Sequence, residues 1–279
     1  MIQTKQIILN SQLLSYYSIT SDKNNSELID PKNAIIWLHG WRSNSNNWTA
    51  IIQRILNQTS NQNLQSYQNI AIDFPGFGQS PIPSNIEQQP WTLQQYADTI
   101  YEFIRSQKFN KVILVGHSFG GRISMLLASS KYAYKMQDTL GKIILVGSHG
   151  FADNSKAKNI KQTIAKIVKP IFNLELFQPL KKIIYTSMGS QDYLATPKLQ
   201  KTFVNVINQD LSENIKTITV PINMIWGGSD EATPVEFTDR IKALAEQSPI
   251  VTIDIIEEAG HYSFLDQSSQ FISIFDKII

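Results

Sequence analysis

Cysteine is absent from this chain. Disulfides, thiolate nucleophiles and cysteine-held metals are therefore excluded within it. The absence suits the cytosol, and a cytoplasmic location is the expectation. Long apolar runs are missing too: no stretch approaches the ~20 residues that a membrane span needs. The opening Met1-Ile2-Gln3-Thr4-Lys5 leads into an apolar run broken by Asn10 and Ser11, too short and too polar for a signal-peptide core. A surplus of one charge is also lacking. With 25 basic against 23 acidic residues the formal net charge is +2, which gives no electrostatic reason to expect nucleic acid as a partner. No internal repeat and no disordered tract stands out. What is present is an ordinary globular composition, 42% hydrophobic and 17% charged over 279 residues, able to bury a sizeable core.

The segments alternate between strand and helix character. Ile7 to Leu9 and Leu13 to Ile19 read as an opening hairpin around Asn10-Ser11. Ala34-Ile35-Ile36-Trp37-Leu38 is continuously apolar, as expected of a strand buried on both faces. A helix follows from about Asn47 to Leu56, then a strand from Asn69 to Ile72. Thr92 and Gln95 make a capping box with Trp91 and Tyr96 as its staple. Val112 to Val115, Lys142 to Val146, Ile218 to Trp226 and Val251 to Ile255 are further strands. Thr233-Pro234-Val235-Glu236 reads as a second capping box with proline at the first helical position. Such alternation predicts an α/β fold: a mostly parallel eight-stranded sheet with helices on both faces. Ligands of such sheets bind outside the carboxyl ends of the strands.

Chemistry concentrates at those ends. Gly116-His117-Ser118-Phe119-Gly120-Gly121 sits between a strand and a helix, the context in which a G-x-S-x-G turn displays a nucleophile. Glycines on both sides let strand and helix approach closely around Ser118. All four histidines, His39, His117, His149 and His261, follow apolar runs. A serine hydroxyl needs a neighbouring base, and His261, between the last strand and the last helix, is the best placed. Asp230 in Trp226-Gly227-Gly228-Ser229-Asp230 is the best acid to orient it, with Glu257 and Asp266 as rivals and Asp192 as an outsider. His39-Gly40-Trp41 offers a second oxyanion donor: backbone N–H groups of Trp41 and Phe119 would bind the substrate's tetrahedral oxygen. The chain order Ser118, Asp230, His261 is nucleophile, acid, histidine.

With these motifs together, and with Asp73-Phe74-Pro75-Gly76-Phe77-Gly78-Gln79-Ser80, the chain resembles the α/β-hydrolase superfamily over nearly its whole length. The resemblance implies that residues 1–150 and 212–279 form the hydrolase core and that 151–211 are a helical cap inserted after the sixth strand. It implies that Asp73 and its glycines shape a turn near the site. A serine at position 118 separates the chain from dehalogenases and epoxide hydrolases of this fold, which use aspartate. Trp41-Arg42-Ser43 stands where carbon–carbon bond hydrolases show a glycine–proline–glycine run. The expected activity is hydrolysis of carboxylic esters or thioesters of small to medium acyl groups, without cofactor or metal. Carbon–carbon hydrolysis, perhydrolysis or acyl transfer on the same triad is the alternative, followed by a non-catalytic receptor.

The insertion is rich in lysine, with Lys158, Lys161 and Lys166 flanking Ile160, Ile164, Ile167, Val168, Ile171 and Phe172. The favoured reading is a cap helix that packs its apolar stripe over the site and excludes water. The other is weak contact with an anionic membrane surface.

Overall fold

The five side chains from Ala34 to Leu38 are all fully buried. They lie in β3 (Asn33–Leu38). A computed structural model describes residues 1–20, 30, 32–59, 61–136, 138–152 and 196–279. The other strands are β1 (Ile2–Leu9), β2 (Gln12–Ile19), β4 (Gln68–Asp73), β5 (Lys111–His117), β6 (Leu140–Val146), β7 (Ile222–Gly227) and β8 (Val251–Ile256). They form one eight-stranded sheet in the order β1-β2-β4-β3-β5-β6-β7-β8. β1 and β2 pair antiparallel, as do β2 and β4. Every other neighbour is parallel. The hairpin turns at Asn10 and Ser11, whose φ values of 48° and 67° are those a tight primed turn demands.

Helices cover both faces because buried strands alternate which side they present. Ala34, Ile36 and Leu38 pack with Tyr96, Ile100 and Phe103 of α3 (Leu93–Gln107) and with Ile123 and Leu127 of α4 (Phe119–Ala128). Ile35 and Trp37 face the other way, against Trp48 and Ile52 of α1 (Asn46–Gln58). The remaining helices are α2 (Gln62–Gln65), α5 (Ser130–Met136), α6 (Gln200–Asn208), α7 (Ser212–Ile215), α8 (Glu236–Leu244), α9 (Ser263–Asp266) and α10 (Ser268–Ile278), with a 3₁₀ turn at Pro197–Leu199. Phe271 and Phe275 of α10 complete the second layer. α3 starts where its capping box predicts: Thr92 and Gln95 satisfy each other's backbone, and the Trp91 and Tyr96 rings meet at 4.9 Å.

Expected boundaries move around β7 and α8. β7 begins at Ile222, not Ile218, because Ile218 N–H closes a turn on Ile215 and Pro221 has no N–H to offer. The predicted capping box at Thr233 does not form. α8 starts at Glu236, Pro234 stays outside it, and Thr233 turns its hydroxyl to Asp230 and Gly147 instead. Of the expected cap, residues 153–195 lie outside the described residues, and with them the lysine-flanked stripe and Asp192. Leu199, Val206 and Leu211 pack into the layer of α3 and α4. No helix among the described residues is long and apolar enough to cross a membrane.

Candidate active site

β3, β5, β6, β7 and β8 are parallel, so their carboxyl ends share one edge of the sheet. His39, His117, His149 and His261 all lie on it or just beyond it. Between β5 and α4 the chain reverses within one residue, Ser118, at φ 49° and ψ −112°. A non-glycine residue with positive φ and this ψ is strained, and strain of this kind costs roughly 1–3 kcal/mol. The surroundings enforce it. A Cβ on Gly116 would fall 2.5 Å from the carbonyl of Gly120, and one on Gly120 would fall 2.4 Å from the carbonyl oxygen of Leu38. Only glycine fits at either place. Ser118 N–H donates to Val146 O at 3.0 Å, which ties the turn to β6.

The connection between β8 and α9 carries His261. Its Nδ1 lies 2.9 Å from Oδ2 of Asp230, whose carboxylate is fully buried. Asp230 divides its two oxygens. Oδ1 accepts the backbone N–H groups of Ala232 and Thr233 at 2.9 and 2.8 Å. Oδ2 receives His261 and the hydroxyl of Thr233 at 2.6 Å. Burial opposes the charge on Asp230, but the hydrogen bonds from His261 and Thr233 outweigh it and hold the carboxyl below its ordinary value. Gly147, at φ 51°, leaves the space: a Cβ there would stand 3.1 Å from Asp230 Oδ2 and 3.4 Å from His261 Nδ1. The rival acids face other groups. Asp266 Oδ2 accepts Gly260 N–H at 2.9 Å, and Glu257 lies beside Gly228. Ser118 Oγ and His261 Nε2 each form no hydrogen bond to a described residue.

The other histidines are committed. His39 Nδ1 donates to Gly40 O at 2.7 Å, and its Nε2 accepts Phe74 N–H at 3.0 Å. Burial pushes its pKa down to about 4. His117 contacts the carbonyl of His261 through Nε2 at 3.0 Å, and burial pushes its pKa down to about 3. His149 accepts Phe151 N–H at 3.2 Å and stacks on Phe237 with ring centroids 4.1 Å apart. The expected turn at Asp73 is built on backbone: its carboxylate accepts Ser45 N–H and Gln79 N–H, both at 2.8 Å.

Trp41 and Phe119 stand side by side with ring centroids 5.3 Å apart, and Phe77 and Phe203 close on Trp41 from 4.9 and 5.3 Å. The backbone N–H groups of Trp41 and Phe119 have no partner among the described residues. The first lies in the turn after β3 and the second at the N-terminus of α4, where free N–H groups favour developing negative charge. No group of three or more histidine, aspartate or glutamate side chains able to hold a metal occurs among the described residues.

Sequence reasoning missed three residues. Thr233 was expected as a helix cap and instead braces Asp230. His117 was one of four candidate histidines with no role assigned. Arg122, one turn into α4, is 7% exposed and reaches carbonyls that precede and follow residues 153–195 in the chain. It donates to His149 O at 3.0 Å and Phe151 O at 3.4 Å, and to Val206 O at 3.1 Å and Gln209 O. Burial brings its pKa down to about 10, with Asp210 working against the shift.

The sequence pattern of the alpha/beta hydrolase family matches residues 35–274. The chain belongs to that family. This alpha/beta hydrolase is 24% identical to an uncharacterized protein of Mycobacterium tuberculosis, over 88% of this chain and 75% of the relative. It is 25% identical to the pimeloyl-[acyl-carrier protein] methyl ester esterase of Aeromonas hydrophila, over 88% of this chain and 94% of that enzyme. Among solved structures it matches an esterase from Exiguobacterium antarcticum with a TM-score of 0.67 at 21% identity, covering 99% of both chains. That likeness concerns the fold.

Proposed function

We propose that this alpha/beta hydrolase is a serine esterase that cleaves carboxylic ester or thioester bonds of small to medium acyl substrates through an acyl-enzyme. The observation that carries the reading is that a strained Ser118 at a helix N-terminus and a histidine, His261, held 2.9 Å from a buried carboxylate, follow strands whose ends share one edge of the sheet. Ser118 Oγ attacks the acyl carbon while His261 Nε2 takes its proton. Asp230 keeps the remaining proton on Nδ1 and stabilises the imidazolium. The N–H groups of Trp41 and Phe119 receive the oxyanion, and loss of one such donor costs about 3–4 kcal/mol. His261 then protonates the leaving alcohol or thiol. Water, activated by the same histidine, attacks the acyl-enzyme, the Ser118 ester bond breaks, and the acid leaves with Ser118 reprotonated. A methyl ester esterase among the relatives supports the ester class. The aromatic wall of Trp41, Phe77 and Phe203 supports an apolar acyl group. Residues 151–211, which supply Phe203 to this wall, are read as a cap inserted in a core of 1–150 and 212–279, and the whole as a cytoplasmic enzyme.

A fluorophosphonate probe should label the purified protein at Ser118, and short p-nitrophenyl esters should be turned over. Ser118→Ala should abolish labelling and lower kcat by on the order of 10⁶. Wild-type protein that neither labels nor hydrolyses any ester of an acyl-length panel would overturn the proposal.

A further inference from the structure

His117 occupies the position between Gly116 and Ser118, and its imidazole is 1% exposed. It touches all three loops of the candidate site. Through the chain it is bonded to Ser118, so their Cα atoms are fixed about 3.8 Å apart. Through Nε2 it meets the carbonyl oxygen of His261 at 3.0 Å, across 144 residues of sequence. Its Nδ1 faces the turn after β3: a Cβ on Gly40 would fall 2.8 Å from it. Ring contacts with His261 at 4.7 Å, Tyr262 at 4.9 Å and Phe264 at 5.1 Å hold the imidazole in one orientation.

A carbonyl accepts, so the proton of His117 resides on Nε2. Asp230 fixes His261 at ring nitrogen Nδ1, and His117 fixes it at the peptide. We infer that His117 is a positioning residue, which sets where His261 stands relative to Ser118 by hydrogen-bonding the base's own carbonyl. The inference rests on the serine-esterase reading. Any drift of the base loop away from the nucleophile must break this bond, because its donor is the residue joined to Ser118. Burial keeps His117 neutral, with a pKa of about 3, so it stays a donor while His261 gains and loses its proton.

The test compares His117→Phe, which keeps a ring and removes the donor, with His117→Gln, whose amide nitrogen reaches the place of Nε2. A misplacement of about 1 Å can cost ~10²-fold, so His117→Phe should lose roughly 10- to 100-fold in kcat and in fluorophosphonate labelling rate, with KM within about twofold. His117→Gln should recover most of that loss. Thermal melts of both variants report folding. Equal losses in the two variants, or losses that follow melting temperature, would mean packing alone and would overturn the inference, as would wild-type labelling rates in His117→Phe. Wild-type protein inert to probe and esters alike would instead remove the esterase reading on which the inference stands.

Discussion

Asp73 and Asp230 occupy similar places: Asp73 ends the buried strand β4 and Asp230 follows the buried strand β7, each lies near glycines, and they are 1% and 5% exposed. Each accepts two backbone N–H groups. They differ in how the oxygens are used. Asp73 gives Oδ1 to the N–H of Ser45 before α1 and Oδ2 to Gln79 N–H, with the Tyr17 hydroxyl 3.5 Å from Oδ2, so both oxygens hold backbone in place. Asp230 satisfies its turn with Oδ1 alone, and Oδ2 is left for His261 and Thr233. Dense glycine and a buried acid therefore mark a tight turn in both places. The oxygen left over marks the one that can serve chemistry.

The comparison breaks most clearly on the acids themselves. Asp230→Asn should lower kcat by on the order of 10⁴ while leaving the fold intact, because the amide favours the wrong tautomer of His261. Asp73→Asn should do the reverse: about 1–3 kcal/mol lost in urea unfolding as a buried N–H loses its acceptor, with activity per folded molecule retained. Equal effects of the two substitutions on kcat would erase the distinction.

Acid should expose a second contrast, between these carboxylates and the buried histidines. His39 and His117 stay neutral in the fold, with pKa values of about 4 and about 3, whereas an unfolded imidazole takes a proton near 6.5. The unfolded chain thus binds more protons as pH falls, and each histidine removes about 1.4 kcal/mol of stability per pH unit from about 6.5 down to its folded pKa. Asp230, held below its ordinary value, adds its loss only below about pH 4, where the unfolded carboxyl is already protonated and the folded one is becoming so. Urea midpoints from pH 7 to pH 4.5 should show the histidine slope, and His117→Gln should make it shallower.

Smaller effects separate the glycines. A Cβ on Gly78 would fall 2.1 Å from Asp73 Oδ2 at φ 56°, so Gly78→Ala should lose more than the ~1–2 kcal/mol of a left-handed alanine. Gly147→Ala meets Asp230 Oδ2 only at 3.1 Å and should cost about that strain alone, with a fall in kcat that Gly78→Ala lacks. Smallest of all, Thr233→Val removes one hydroxyl from Asp230 and should cost about 0.5–1.5 kcal/mol, read as a fewfold drop in kcat/KM.

Much of this was legible in the residues, for reasons that can be named. β3, β5 and β6 announce themselves because strands buried on both faces are apolar without a break. β1 extends back to Ile2 beyond its expected start, since five of its first residues are exposed and carry no alternation. Ser118, Asp230 and His261 could be picked as candidates because each follows a strand, and a parallel sheet puts such residues on one edge. The tasks of Thr233, His117 and Arg122 could not. Thr233 had a local role, capping, that a tertiary contact overrode. The bonds of His117 and Arg122 span 144 and up to 87 residues, and no local pattern encodes them.

Arg122 has a consequence for how such chains change in length. Its guanidinium gathers carbonyls of His149 and Phe151 with those of Val206 and Gln209. The chain between Phe151 and Val206 therefore leaves and returns at one point on α4. The entropy of closing a connection between fixed ends grows only with the logarithm of its length, about 0.6 kcal/mol for each doubling. A segment half as long or twice as long can be spliced between the same stems at little cost, with Ser118 left where β5 and α4 put it. In evolutionary terms the length of chain between these two stems is free to change while β5 and α4 hold Ser118 in place.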